Sequence, residues 1–250
     1  MSIIREPGLQ AYWAFDADAT GSAYDWSGNS LTLTKRIGTS IVAGGGRRRN
    51  ALGCNGSTFA YTDTNIATSN TGLTVSLWVY FASLATTGTN ADTIQTIAIK
   101  GLNGASANNL YAWTISHDPR TAQNRFNFNL ANAAETAGSS AYVPNVSTAY
   151  ATSTWYHLVG TWKPGTHLLY VDGRIPGSMA NAGTMANDIT TRSHTTRIGG
   201  GWRTDTSVPF RCLNGRVDEV RVYNRCLTSA EVRHLYQSNR LFRPQGVTGG

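Results

Sequence analysis

The segment Leu73–Phe81 alternates with a period of two. Val75, Leu77, Val79 and Phe81 fall on one parity, and Ser76, Trp78 and Tyr80 on the other. That period sends one set into a core and the other to the opposite face of a sheet, here a face carrying aromatics. Arg125-Phe-Asn-Phe-Asn-Leu130 alternates even more cleanly. Val217, Val220 and Val222 do so against Asp218, Glu219 and Arg221 with one irregularity, the mark of a bulge. Further strand-like segments are Leu9–Phe15, Thr93–Lys100, Leu110–His117, Trp155–Trp162, His167–Val171 and Thr195–Ile198, each bounded by Gly, Asn, Asp or Ser. Charged residues are 14% of the 250, and only four are Glu, too few for the exposed faces of a helical protein. The expectation is an all-β fold in which one large sandwich accounts for the whole length.

Local signals place the turns and a single helix. Asp172-Gly173 follows His167–Val171 and supplies the positive φ angles of a tight hairpin turn. Thr228-Ser-Ala-Glu231 reads as a capping box, with Leu227 and Val232 as its hydrophobic staple. Val232, Leu235 and Tyr236 continue an apolar stripe, so a short helix is predicted over Thr228–Ser238. Ala131–Thr154 reads as a long loop or a weak edge strand. No repeat or low-complexity block divides the chain. Residues 1–8 are assigned to an N-terminal arm, 9–238 to the sandwich and 239–250 to a C-terminal tail.

The net charge of +7 is unevenly placed: the 59 residues from Arg192 onward hold ten Arg against four acids. Arg forms bidentate pairs with carboxylates and phosphates and favours interfaces. A protein partner is the favoured reading of this basic end, and nucleic acid the disfavoured one, because no aromatic-interleaved basic stripe accompanies it. Arg47-Arg48-Arg49, after three glycines, reads as a solvated loop or a contact arm. Three cysteines, Cys54, Cys212 and Cys226, cannot all pair within the chain and fit buried thiols of a reducing compartment. The N-terminus lacks the apolar stretch of a signal peptide and no apolar run could span a bilayer, so the expectation is synthesis in a cytoplasm without membrane contact.

Several segments, in order, resemble the concanavalin A-like, laminin-G-like jelly-roll family. Leu9-Gln-Ala-Tyr-Trp-Ala-Phe-Asp16 and Asp25-Trp-Ser-Gly-Asn29 look like its opening strand and loop, and Leu73-Thr-Val-Ser-Leu-Trp-Val79 like its central strand. Trp155-Tyr-His-Leu-Val-Gly-Thr-Trp162 with Leu169-Tyr-Val-Asp-Gly173 is similar to its hairpin. Leu213–Arg225 and Leu227–Glu231 are similar to its last strand and closing helix. Cys54 departs from the pattern, standing where the family usually has Phe. The resemblance implies an antiparallel two-sheet jelly-roll sandwich, a concanavalin A-like lectin/glucanase fold with one short C-terminal helix. The ending Leu235-Tyr-Gln-Ser-Asn-Arg-Leu-Phe-Arg-Pro244 resembles laminin-G-like proteins of tailed bacteriophages, although the Pro expected after Asn239 is absent. That implies a virion protein: a capsid decoration, head fibre or tail component made in the host cytoplasm, with virion proteins, cell-surface glycans or further copies of itself as partners. The alternative is a free-standing carbohydrate-binding lectin module.

Catalysis is not expected. Glycosidases of this superfamily carry their carboxylates on alternate residues of one strand, a spacing this sequence lacks. Asp218 and Glu219 are adjacent, so a regular strand sends them to opposite faces, where they would tie down backbone or an Arg such as Arg216 or Arg221. The five His show no metal-ligand spacing. No cofactor is expected beyond calcium, for which Asp16, Asp25 and Asn29, with Asp18, are the candidate ligands; the same residues are good turn chemistry by themselves. For ligand binding, Trp202 with Arg203 and Asp205 in a Gly-rich loop is the first candidate, followed by Tyr80 and Trp113. Trp13, Trp78, Trp155 and Trp162 are assigned to the core. Arg240, Leu241, Phe242 and Arg243 form a candidate docking tail, apolar anchors flanked by cations.

Overall fold

Strands form where alternation predicts them, to within two residues at either end. The computed structural model describes residues 6–16, 22–35, 38–57, 59–62, 65–66, 69–84, 93–101, 111–119, 125–131, 138–143, 150–176, 180–182, 194–203 and 208–240. In chain order the first strands are β1 (Leu9–Trp13), β2 (Ser22–Ala23), β3 (Leu33–Lys35), β4 (Thr39–Val42), β5 (Ala51–Asn55) and β6 (Ala60–Thr62). The long central strands follow as β7 (Leu73–Phe81), β8 (Gln95–Gly101), β9 (Tyr111–Asp118), β10 (Arg125–Ala131), β11 (Gly138–Val143), β12 (Trp155–Lys163) and β13 (Thr166–Val171). The last are β14 (Ala180–Ala182), β15 (Thr196–Ile198), β16 (Gly201–Arg203), β17 (Val208–Phe210) and β18 (Asn214–Tyr223), before helix α1 (Ser229–Arg240).

These strands build an antiparallel two-sheet sandwich. One sheet runs β13-β12-β7-β18-β5-β4, with β1 paired to the second half of β18. The facing sheet runs β14-β11-β10-β9-β8-β15-β6-β3-β2, and β16 and β17 form a separate hairpin. Ala131–Thr154 thus contains a strand, β11, covered at the sheet edge by β14. Of the two readings offered for this segment, the strand holds, although β14 and not β11 takes the edge.

Between the sheets, Leu73, Val75, Leu77, Val79 and Phe81 of β7 meet Trp113 and Ile115 of β9 and Phe126, Phe128 and Leu130 of β10. Trp13, Trp113 and Trp162 are completely buried in this layer, each worth several kcal/mol by the usual cost of about 3–5 for truncating a core Trp or Phe. Packing is tight enough that β12 must carry glycine at Gly160, where a Cβ would run into the Phe128 ring. A second apolar cluster lies outside the seven-stranded sheet, where Tyr12, Val159 and Tyr170 receive Leu227, Val232 and Leu235 at the start and inner stripe of α1.

The local signals hold in detail. Thr228 N–H donates to Glu231 Oε2 at 2.8 Å, and Glu231 N–H donates to Thr228 Oγ1 at 3.3 Å, closing the capping box. Asp172 and Gly173 both have positive φ, 52° and 76°, and Val171 and Arg174 exchange backbone hydrogen bonds across them. Helix α1 continues through Arg240, so Asn239 and Arg240 belong to it rather than to a tail; Leu241, Phe242 and Arg243 lie outside the described residues. No helix among the described residues is long and apolar enough to cross a membrane.

The irregularity in β18 is a bulge, and it corrects one expectation. Pairing with β7 slips between Asp218 and Arg221, and Glu219 sits at φ 53°. The extra residue breaks strict alternation, so Asp218 and Glu219 both turn to the outer face, toward Arg47 and Tyr12 respectively, instead of to opposite faces.

Candidate functional site

On the outer face of the seven-stranded sheet, cross-strand register sets Trp155, Tyr80 and Arg216 side by side: Trp155 pairs with Tyr80 and Tyr80 with Arg216. The two rings lie 5.6 Å apart at 51°, and the Arg216 guanidinium sits 4.9 Å from the Tyr80 centroid. All three are half-buried. Beyond Arg216 the row continues through Gly53 and Ser40, where the Val42 and Ser40 side chains occupy the space of the missing Cβ. Rigid strands therefore hold two aromatic faces and a cation in one open strip.

One pleat along, the same face is covered. Trp78 is 2% exposed, with His157 at 4.9 Å, Tyr236 of α1 stacked at 5.6 Å and the Arg47 guanidinium 4.6 Å from its centroid. Ser76 Oγ and His157 Nε2 are 3.1 Å apart, a pairing that in an open site could serve nucleophilic chemistry. Here both groups are buried, and burial with the nearby Arg221 and Arg47 charges pushes His157 down to about 3.

The loop between β4 and β5 carries Arg47, Arg48 and Arg49, and two carboxylates grip its backbone. Asp218 Oδ2 accepts from the amides of Arg47 at 2.6 Å and Arg48 at 3.2 Å. Asp16 Oδ1 accepts from the amide of Asn50 at 3.1 Å, and Asn50 Nδ2 donates to Asp16 O at 3.0 Å. Arg216 Nη1 donates to Gly45 O at 3.2 Å, joining the loop to the aromatic strip. Glu219, the neighbour of Asp218, accepts from Tyr12 O–H at 2.9 Å and from Arg221 Nη2 at 2.8 Å. Burial, followed by the Glu219 charge, holds the Asp218 carboxyl well above the usual carboxylate range.

The family model of the concanavalin A-like lectin/glucanases superfamily matches residues 55–233. The chain belongs to that superfamily. No curated protein matches the sequence. Solved structures share the fold at low identity. Trypanosoma rangeli sialidase in complex with sialic acid superposes with a TM-score of 0.62 at 18% identity, over 92% of this chain and 33% of that one. The binding domain of Paraclostridial Mosquitocidal Protein 1 gives 0.64 at 17%, over 92% and 52%. The binding domain of botulinum neurotoxin serotype G gives 0.61 at 15%, over 92% and 51%. The chain thus spans a third to a half of these proteins.

The other candidate residues of this lectin-like sandwich are scattered. Trp202, on β16, is half-buried with its ring 6.1 Å from Phe59 in an edge-to-face contact. Its neighbour Asp205 and the Arg203 side chain lie outside the described residues. Trp113 is fully buried between the sheets and offers no face to a ligand, because its parity on β9 points inward with Ile115. Trp155, assigned to the core, belongs instead to the open strip. Its parity could have shown this, since it lies an odd number of residues from the buried Trp162 and so on the opposite face. Tyr24, 50% exposed, and Trp26, within the Asp25–Asn29 motif, form another aromatic pair at 5.1 Å that was not among the ligand candidates.

The carboxylates considered for calcium serve the turns. Asp25 accepts from the amides of Tyr12, Ser27 and Leu31 and from the Ser27 hydroxyl, filling both oxygens with protein donors. Asn29 donates its amide to Gln10 O at 2.8 Å, and Asp16 holds Asn50. Among the described residues no group of three or more His, Cys, Asp or Glu is placed to hold a metal. A concavity of about 650 Å³ lies between the N-terminal arm, β18 and α1, but its charges pair with each other: Arg225 with Glu231 at 2.7 Å, and Glu6 with the Tyr223 hydroxyl at 2.5 Å.

Proposed function

We propose that this chain is a non-catalytic recognition module whose sandwich binds glycans on the Trp155–Tyr80–Arg216 strip. The observation that carries the reading is the pairing of two half-exposed rings beside a guanidinium on rigid strands. The C–H face of a sugar ring stacks on such rings while polar groups orient its hydroxyls. The absence of catalysis is supported by the commitment of Asp218 and Glu219. Both are fully buried, and their oxygens are spent on amides, Tyr12 and Arg221, whereas a glycosidase needs two carboxyls flanking the scissile bond. Two of the solved relatives are named as binding domains of toxins, in keeping with recognition as a use of this fold.

The setting we propose is a bacteriophage particle, on the resemblance of Leu235–Pro244 to phage-encoded laminin-G-like endings, with residues 241–250 as the attachment to virion proteins. Binding to immobilised glycans tests the first part: at least one should be retained, with a loss of tenfold or more in Tyr80→Ala and Trp155→Ala. Retention indifferent to both variants, or hydrolysis that disappears in Glu219→Gln, refutes it. Mass spectrometry of purified particles tests the setting. A chain absent from them belongs to a free-standing lectin module.

A further inference from the structure

We propose that the glycan taken by this strip is anionic, a carboxylated or sulfated oligosaccharide, with the Arg47–Arg49 loop as its charge-reading element. The inference rests on the glycan-binding reading above and adds the chemical class of ligand. Three features of the loop lead to it.

Its position is the first. Arg47 covers Trp78, which shares a face of β7 with Tyr80, and Arg216 contacts both the Tyr80 ring and the Gly45 carbonyl. The loop therefore borders the strip directly.

Its fixation is the second. Asp218 and Asp16 hold the loop through main-chain amides. A run of like charges would otherwise repel itself into an extended arm. Gripped through its amides, the backbone that carries the three cations is already ordered when a ligand arrives.

The charge balance is the third. Arg47, Arg48, Arg49 and Arg216 gather here, with Arg49 exposed. Of the nearby acids, Glu219 is paired with the buried Arg221, and burial disfavours the ionised forms of Asp218 and Asp16. The surface left to solvent is cationic beside aromatic rings. Arg guanidinium matches carboxylate and sulfate oxygens through paired N–H donors, which a neutral sugar hydroxyl does not exploit.

The test uses the full chain on a surface carrying hexagalacturonate, its methyl ester, a heparin hexasaccharide, cellohexaose and a single-stranded DNA dodecamer. Retention of the carboxylated or sulfated sugar over its neutral counterpart by tenfold or more is expected, falling as salt rises from 50 to 500 mM. Replacing Arg47, Arg48 and Arg49 together by Gln should remove that preference while circular dichroism stays unchanged, since the carboxylates grip amides that Gln retains; the melting temperature should fall only by what the Arg47–Trp78 contact contributes. Tyr80→Ala should lower retention of every sugar. Neutral and acidic sugars held equally, with the triple Gln variant indifferent, overturn the anionic inference and leave glycan binding standing. No sugar held at all removes both. DNA held as well as the acidic sugars, with Tyr80→Ala indifferent, shows a generic polyanion surface and overturns the inference as well.

Discussion

Trp78 and Tyr80 sit two residues apart on one strand, on one face, opposite consecutive outward residues of β12 and β18. Trp78 is buried beneath Arg47 and Tyr236, and Tyr80 stays half-open. Strand chemistry cannot distinguish them; the difference lies in what arrives from elsewhere in the chain. α1 and the arginine loop roof the first position and stop short of the second. The outer face of one sheet is thus part second core, part open surface, and the boundary between them passes between adjacent side chains.

Substitutions should separate the two regions sharply. The largest effect is expected for Trp78→Ala, at about 3–5 kcal/mol in urea unfolding, against a change within about 0.5 kcal/mol for Tyr80→Ala. Comparable losses at both positions would erase the boundary. Next in size is Asp218→Ala, which strips the acceptor from the amides of Arg47 and Arg48 and should cost about 1–3 kcal/mol. Asp218→Asn keeps one acceptor oxygen and should cost less. If both are silent, the loop is held by other contacts and the roof over Trp78 does not depend on it.

Smaller near neutral pH, though it accumulates as pH falls, is an effect from the covered region. His157 is held neutral, its pKa lowered from 6.5 to about 3, first by burial and then by the Arg221 and Arg47 charges. The unfolded chain therefore binds a proton that the folded one refuses as pH falls below about 6.5. Stability is lost between there and about 3, at a slope of up to about 1.4 kcal/mol per pH unit. His157→Gln should flatten this part of a stability–pH profile, and an unchanged slope would mean the imidazole protonates in place. The smallest expected effect belongs to Trp155→Ala, which should leave the melting temperature within about 2 °C while abolishing stacking with a ligand. A large drop in melting temperature would make Trp155 structural after all.

Features set by residues close in the chain were legible in the sequence. The β7 alternation, the Asp172-Gly173 turn and the Thr228–Glu231 cap depend on neighbours, and the structure has them where local chemistry requires. The bulge in β18 was visible as an irregularity, but its consequence was not, since adjacency alone sends Asp218 and Glu219 apart. The aromatic strip was half legible: Tyr80 was named from its face, while Trp155 was placed in the core because tryptophans in strands usually are. Nothing local marked the arginine loop as a clamped element. Its anchor, Asp218, lies 171 residues away, and no pattern in Gly44–Asn50 announces such a partner. Trp113 failed for the opposite reason, since an aromatic in a strand does not say which sheet face will be enclosed.

The grip on the loop acts on amide hydrogens, which every residue but proline possesses. Positions 48 and 49 are therefore a socket whose contents are exchangeable, provided the frame around them survives, while Arg47 also covers Trp78. That frame is narrow: at Gly46 a side chain would collide with the Asn50 carbonyl and crowd Asp218. Within it, two consecutive side chains could be rewritten without disturbing the sandwich. A lineage, or an engineer grafting new pairs, would have a way to alter what the surface presents while the fold beneath stays as it is.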